Sequence, residues 1–322
     1  MRKLLVLDVV ALTDRLLRHA PRLAALAREG FAGRIAPALP AVTCSAHASM
    51  LTGALPRTHG IVGNGWYFRD LAEVWLWRQS NHLVTAPKVW DRLRARRPEL
   101  TVAKLFWWYN MYSTADISAT PRPHYLADGR KLPGIYTRPA GLEKELESAL
   151  GPFPLFNFWG PAADIRSSRW IAGAALHVLE RRAPDLAFVY LPHLDYDLQR
   201  FGPDSTEALR AVAELDAEAA RLIDGARARE YAVLVVADYA ITGVSGAVPI
   251  NRLLREHGFV AVRESLAGEL LDCGASRAFA VADHQAAHVY VNDRSALGAV
   301  KDLLAGEAGI VAVLDEEGKR AH

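Results

Sequence analysis

Cysteine is scarce in this chain: its 322 residues hold two, Cys44 and Cys273. That excludes a disulfide framework and any paired-cysteine metal motif, and it points to a reducing, cytoplasmic setting. No apolar run reaches the length of a membrane span. The stretch after Arg2 and Lys3 stays apolar only as far as Asp8, which is too short for a secretory signal. Charge of one sign is lacking too. The 38 basic residues are dispersed among 36 acidic ones for a formal net of +2, so no nucleic-acid polymer is expected as a partner. Internal repeats and low-complexity tracts are absent. Hydrophobic residues make up 51% of the chain, enough for a large core. The length suits one domain over 1–322 carrying an insertion.

Strand-like and helix-like patterns alternate along the chain, which predicts an α/β fold of three layers, α/β/α, around a mainly parallel sheet. Strands are expected at 4–10, 101–106, 186–191 and 232–237, with shorter ones at 259–263, 278–282 and 288–292. Helices are expected at 16–28, from about His47, and at 87–97, 165–182 and 205–229, with a last helix–strand pair ending near Leu314. Asp204 and Ser205 read as helix caps. The segment 106–161 breaks the rhythm with aromatic residues, Pro and Gly, and reads as a cap or insertion over a site, or else as packing beneath long loops.

The run Pro40-Ala-Val-Thr43-Cys-Ser-Ala-His47, continuing through Thr52-Gly53 to His59-Gly60-Ile61, carries the most information. Its Thr43 follows a loop and precedes a helix-capable segment, where free N–H groups and the helix dipole favour a phosphate. Asp8 ends the first strand, Asp238 ends Val235-Val-Ala-Asp, Asp195 follows the 186–191 strand, and His284 lies between two late strands. In an open α/β sheet such positions meet at one edge. Taken singly, a strand-end Asp is usually a turn former and a Thr before a helix an N-cap. Taken together, these oxygen and imidazole donors suit Zn²⁺, Mn²⁺ or Fe, and a mixed set can hold two ions.

The joint pattern resembles the alkaline phosphatase superfamily, in particular its nucleotide pyrophosphatase/phosphodiesterase branch. The resemblance rests on Asp8, on the block from Pro40 to Ile61, on Asp195 with the trailing Phe201-Gly-Pro-Asp-Ser, and on Val-Val-Ala-Asp238. The stretches His59–Tyr67 and Phe279–Gln285 are similar to a bacterial subgroup described as alkaline phosphatase family proteins. The resemblance implies an alkaline phosphatase-like fold and a hydrolase of phosphoric ester or pyrophosphate bonds, acting on a small phosphoester through a phosphothreonine on Thr43. It implies two divalent metal ions, Zn²⁺ first with Mn²⁺ or Fe as alternatives: one held by Asp8, Asp238 and Thr43, the other by Asp195 and His284, with His288 as second choice to His284.

Two departures stand out. The family has a histidine four residues after the Asp195 position and another directly after the Asp238 position, where this chain has Gln199 and Tyr239. Gln199 and Tyr239 are therefore carried as weak candidate ligands. Either His193 or Asp197 substitutes, or the site holds one ion, or it prefers Mn²⁺ or Fe. The family's Pro-Asn pair after the nucleophile is Ser45-Ala46 here, which makes Asn64 the candidate amide for substrate, beside Trp66 and Tyr67. Alternatives stay open: a phosphomonoesterase or phosphonate hydrolase, a metal-poor pseudoenzyme binding a phosphorylated ligand, or a structural α/β protein.

Overall fold

Six strands, numbered along the chain, form the main sheet: β1 (Lys3–Val9), β2 (Val102–Leu105), β3 (Ile117–Pro121), β4 (Ile135–Arg138), β5 (Leu186–Leu191) and β6 (Tyr231–Val236). Their spatial order is β6–β1–β5–β2–β3–β4, and all neighbours run parallel except β3 and β4. Every residue of β5 is buried, as is β1 from Leu5 to Val9. Strands apolar on both faces need cover on both faces. Helices supply it, with Ile165–Arg181 packed on β5 and on the long helix Thr206–Arg227. The result is the α/β architecture expected from the alternating pattern. In the computed structural model, residues 2–321 are described.

Internal contacts gather into two compact units. The first takes the chain up to Ile61 and Gln79–Gly243, and holds the main sheet. The second takes Val62–Arg78 and the chain from Val244 onward. It consists of antiparallel pairs (Gly65–Phe68 with Glu73–Leu76, Ala261–Ser265 with Gly268–Asp272, Ala278–Asp283 with Ala286–Val291) and the helices Ile250–Glu256 and Leu297–Ala305. Leu254, Ala278, Val300 and Leu304 pack in one of its cores, and Tyr67, Phe279 and Val281 in another.

Several local expectations are corrected by local chemistry. The helix expected over 16–28 is two, Asp14–Leu17 and Pro21–Glu29, because Pro21 cannot continue a helix but suits the first position of a new one. Ser205 does cap its helix, its Oγ accepting the Ala208 N–H at 3.1 Å, whereas Asp204 pairs with Arg15 at 2.7 Å instead. No strand follows the last long helix near Leu314 among the described residues. The segment 106–161 contributes β3 and β4 to the sheet, and much of its aromatic content to the core. Phe106 lies 4.9 Å from Phe153 and 5.9 Å from Trp170, ring to ring, and all three are buried. What stands apart is an exposed pair, His124–Tyr125 against Lys131–Leu132.

Asp216, buried in the middle of Thr206–Arg227, accepts the Arg22 and Leu23 N–H groups at 3.0 and 2.9 Å. It thus supplies from another helix the cap that Ala20 cannot give to Pro21–Glu29. Asp216→Ala should destabilise the protein by about 1–3 kcal/mol, since it strands two helix-terminal donors. Chemical denaturation of the purified variant measures this.

Candidate active site

Parallel strands end on the same edge, and the candidate residues follow from that. Asp8 is the last but one residue of β1, in register with Tyr190 on β5 and Val236 on β6. Asp238 lies two residues beyond β6. Asp195 sits in the first turn of the helix His193–Phe201, and Gln199 one turn later. Thr43 opens the helix Thr43–Thr52, so the helix begins at Thr43 rather than near His47. His47, four residues on, shares the face of Thr43.

Asp8, His47 and Asp238 are all buried, and each offers a ligand-capable atom within 4.8 Å of the others. His47 Nε2 lies 2.8 Å from Asp8 Oδ2 and 3.7 Å from Asp238 Oδ2. The ring is wedged by Trp107 and by the edge of Tyr190, with centroids 4.7 and 4.8 Å away. Its Nδ1 accepts the Trp108 N–H at 3.2 Å. That fixes the tautomer: burial keeps the imidazole neutral, pulling its pKa down to about 3, so its single proton sits on Nε2 and is donated to Asp8. His47 therefore orients Asp8.

Burial pushes the Asp8 carboxyl well above the usual carboxylate range. Burial, and then the nearby Asp8, do the same to Asp238. Asp8 Oδ1 and Asp238 Oδ2 are buried and have no hydrogen-bond partner. Two desolvated carboxyl groups with orphaned oxygens fit a cation.

Asp195 is treated differently. It is half-buried, and its Oδ1 accepts both the Tyr239 hydroxyl at 2.7 Å and the Gln199 amide at 2.8 Å. The Tyr239 phenol also neighbours Thr43. The two positions that depart from the family pattern thus meet on a single carboxylate oxygen. His193, a substitute candidate, instead faces Glu214 at 3.0 Å, and Asp197 pairs with Arg200 at 3.1 Å.

Ser45 occupies the place of the family's proline and donates its hydroxyl to the Pro40 and Val42 carbonyls, tying the loop to the helix. His59 closes the same motif. Its Nδ1 accepts the Ile61 N–H at 3.1 Å and its Nε2 faces Ser49 Oγ at 3.0 Å. Burial lowers the His59 pKa from 6.5 to about 4. The unfolded chain therefore takes up this proton first as pH falls. Stability is full above about pH 6.5 and declines toward pH 4, by at most about 1.4 kcal/mol per pH unit for this one group. His59→Gln should flatten that decline, as read from urea midpoints measured across the window.

The remaining candidates belong to the second unit. His284 is exposed, with Nδ1 3.0 Å from Asp283 Oδ1. His288 Nε2 lies 2.6 Å from the Val62 carbonyl, an arrangement that holds its proton there. Asn64 gives its backbone N–H and side-chain amide to Asp283 at 2.7 and 3.1 Å. Tyr67 is buried against Phe279 at 4.9 Å, and half-buried Trp66 stacks on Phe68 at 5.3 Å. His47 is the residue that sequence reasoning passes over. Its signal is the four-residue spacing from Thr43.

The sheet order and the carboxylates at its edge define an alkaline phosphatase-like hydrolase fold, and solved structures share it. Wild-type alkaline phosphatase PafA matches with a TM-score of 0.71 at 16% identity, over 100% of this chain and 80% of that one. Phosphonoacetate hydrolase from Sinorhizobium meliloti 1021, bound to phosphonoacetate, matches with a TM-score of 0.66 at 17% identity, over 99% and 77%. Murine ectonucleotide pyrophosphatase/phosphodiesterase 5 matches with a TM-score of 0.62 at 15% identity, over 96% and 71%. No curated protein matches in sequence. The model of the type I phosphodiesterase / nucleotide pyrophosphatase family matches residues 4–322, and the chain belongs to that family. That family is one of phosphoryl hydrolases. Among the described residues, no helix is long and apolar enough to cross a membrane.

Proposed function

We propose that this chain hydrolyses a phosphodiester or pyrophosphate bond through a covalent phosphothreonine on Thr43. The observation that carries the reading is that Thr43 opens the helix whose His47, one turn on, bonds Asp8 beside Asp238, both carboxyl groups keeping a buried oxygen without a hydrogen-bond partner among the described residues. Asp8 and Asp238 would hold a divalent ion, which supplies positive charge to the transferring phosphoryl group. Thr43 Oγ forms the new bond to phosphorus as the bond to the leaving oxygen breaks. The hydroxyl proton would leave by way of the neighbouring Tyr239 phenol, which itself donates to half-exposed Asp195. Water then hydrolyses the threonine ester, and the proton returns along the same route. The N-terminal amides of Thr43–Thr52 favour the anion.

Charge favours a diester over a monoester dianion. His47 is held neutral, and buried Lys104, whose Nζ donates to the Tyr109 carbonyl at 3.0 Å, is pushed far below its ordinary pKa by burial. The test is a comparison of bis-p-nitrophenyl phosphate, p-nitrophenyl phosphate, a nucleotide pyrophosphate and phosphonoacetate as substrates, with Zn²⁺, Mn²⁺, Fe²⁺ or Mg²⁺ supplied. The first or third should turn over fastest; preference for the monoester or the phosphonate would overturn this assignment.

Because Asp8 and Asp238 are protonated more readily than ordinary carboxyls, ion binding should release protons and weaken as pH falls. Calorimetric titration in two buffers of different ionisation enthalpy reads the proton count.

A further inference from the structure

The demand for positive charge differs sharply between the two halves of the candidate site. At Asp8 and Asp238 it is unmet: both groups are buried, and Asp8 Oδ1 and Asp238 Oδ2 have no partner. At Asp195 it is met by neutral donors, the Tyr239 hydroxyl and the Gln199 amide, converging on Oδ1 at 2.7 and 2.8 Å. Both donors stand where the resemblance expected imidazoles. Neither replacement offers a nitrogen lone pair to a metal: an amide nitrogen has none to give, and the phenol has no nitrogen at all.

We infer that this chain holds a single divalent cation, on Asp8 and Asp238 with the Thr43 hydroxyl, and that Tyr239 and Gln199 close the second ion position by hydrogen-bonding Asp195. The inference rests on reading Asp8 and Asp238 as the ion-holding pair.

His47 is a positioning residue here. Its Nδ1 is occupied by the Trp108 N–H, and its Nε2–H is donated to Asp8 Oδ2, which leaves Oδ1 without a partner for an ion to use. The donors left for the ion are all oxygen. Oxygen sets suit hard cations such as Mn²⁺ and Mg²⁺, and lack the imidazole that strengthens Zn²⁺ binding. The substitutions at 199 and 239 thus change both how many ions bind and which kind the site prefers.

The experiment is metal stoichiometry on the purified full chain, stripped by chelator and titrated with Mn²⁺ and with Zn²⁺ separately. It is followed by calorimetry, and by elemental analysis after desalting. One ion per chain is expected, and Asp238→Asn should abolish its binding. Tyr239→His with Gln199→His together should raise the count to two, and raise the ratio of Zn²⁺ to Mn²⁺ affinity at least tenfold. Tyr239→Phe, which removes the hydroxyl but adds no ligand, should leave the count at one. His47→Gln should weaken the ion tenfold or more without changing the count. Two ions in the unaltered chain, none, or one that survives Asp238→Asn would overturn the inference, as would a double variant that stays at one. Because none of these readouts uses turnover, the outcomes separate cleanly: one ion without hydrolysis of any phosphoester sinks the proposed activity alone. Two ions with hydrolysis sink this inference alone.

Discussion

Thr43→Ala should reduce phosphodiester turnover by about 10³-fold or more, because removing the atom that bonds phosphorus disables the whole sequence of steps. The fold should be nearly untouched. Thr43 makes no capping bond to its helix, since the N-cap residue is Val42 and no side chain caps that end. Ser45 keeps the entering loop tied to the helix through the Pro40 and Val42 carbonyls. Tyr239 retains its bond to Asp195. Steady-state kinetics beside a thermal melt measure both effects. A variant within tenfold of the unaltered chain would remove Thr43 from the chemistry.

Asp238→Asn should have the second large effect, in opposite directions on two properties. Without an ion, Asp8 and Asp238 are buried together, and each raises the cost of charging the other. An amide at position 238 keeps the acceptor that takes the Tyr239 N–H at 3.1 Å. It also adds an NH₂ donor within a cluster spanning 4.8 Å, where Asp8 supplies an acceptor. The ion-free variant should therefore melt higher than the parent, by about 2–4 °C for each kcal/mol relieved. The stabilisation that Mn²⁺ gives the parent should vanish. Melting curves with and without Mn²⁺ show both. An ion-free variant that melts lower, or one still stabilised by Mn²⁺, would contradict the account. On that outcome the pair is a place where stability yields to function.

The sequence makes some of this architecture plain and hides the rest for identifiable reasons. β5 and β1 are visible because strands buried on both faces must be continuously apolar. Asp8 and Asp238 are visible because each ends an apolar run, and Asp195 because it lies a few residues beyond one. Trp107 and Phe106 look like material for a cap because aromatic residues suit a cap and a core equally. Only the pairing of β3 and β4 with the sheet shows that they are covered. The role of His47 depends on the Trp108 N–H reaching its Nδ1. The chain leaves β2 with Phe106 at φ 65°, a left-handed conformation no pattern assigns to a bulky residue. Tyr239 and Gln199 read as lost ligands. Their shared bond to Asp195 depends on where the end of β6 meets the helix His193–Phe201, a tertiary fact that spacing along either element does not carry. The break at Pro21 is legible in the sequence, against an apolar periodicity that runs on either side of it.

The central claim is a covalent bond between Thr43 and phosphorus, and mass spectrometry of acid-quenched protein tests it most directly. The chain would be mixed with a phosphodiester and Mn²⁺, quenched within the first turnovers, digested and mapped. The account predicts the mass of the transferred phosphoryl group on the peptide that carries Thr43, and none on the corresponding Thr43→Ala peptide. Turnover with the group on another residue, or with Thr43 unmodified under conditions where the intermediate accumulates, would contradict it.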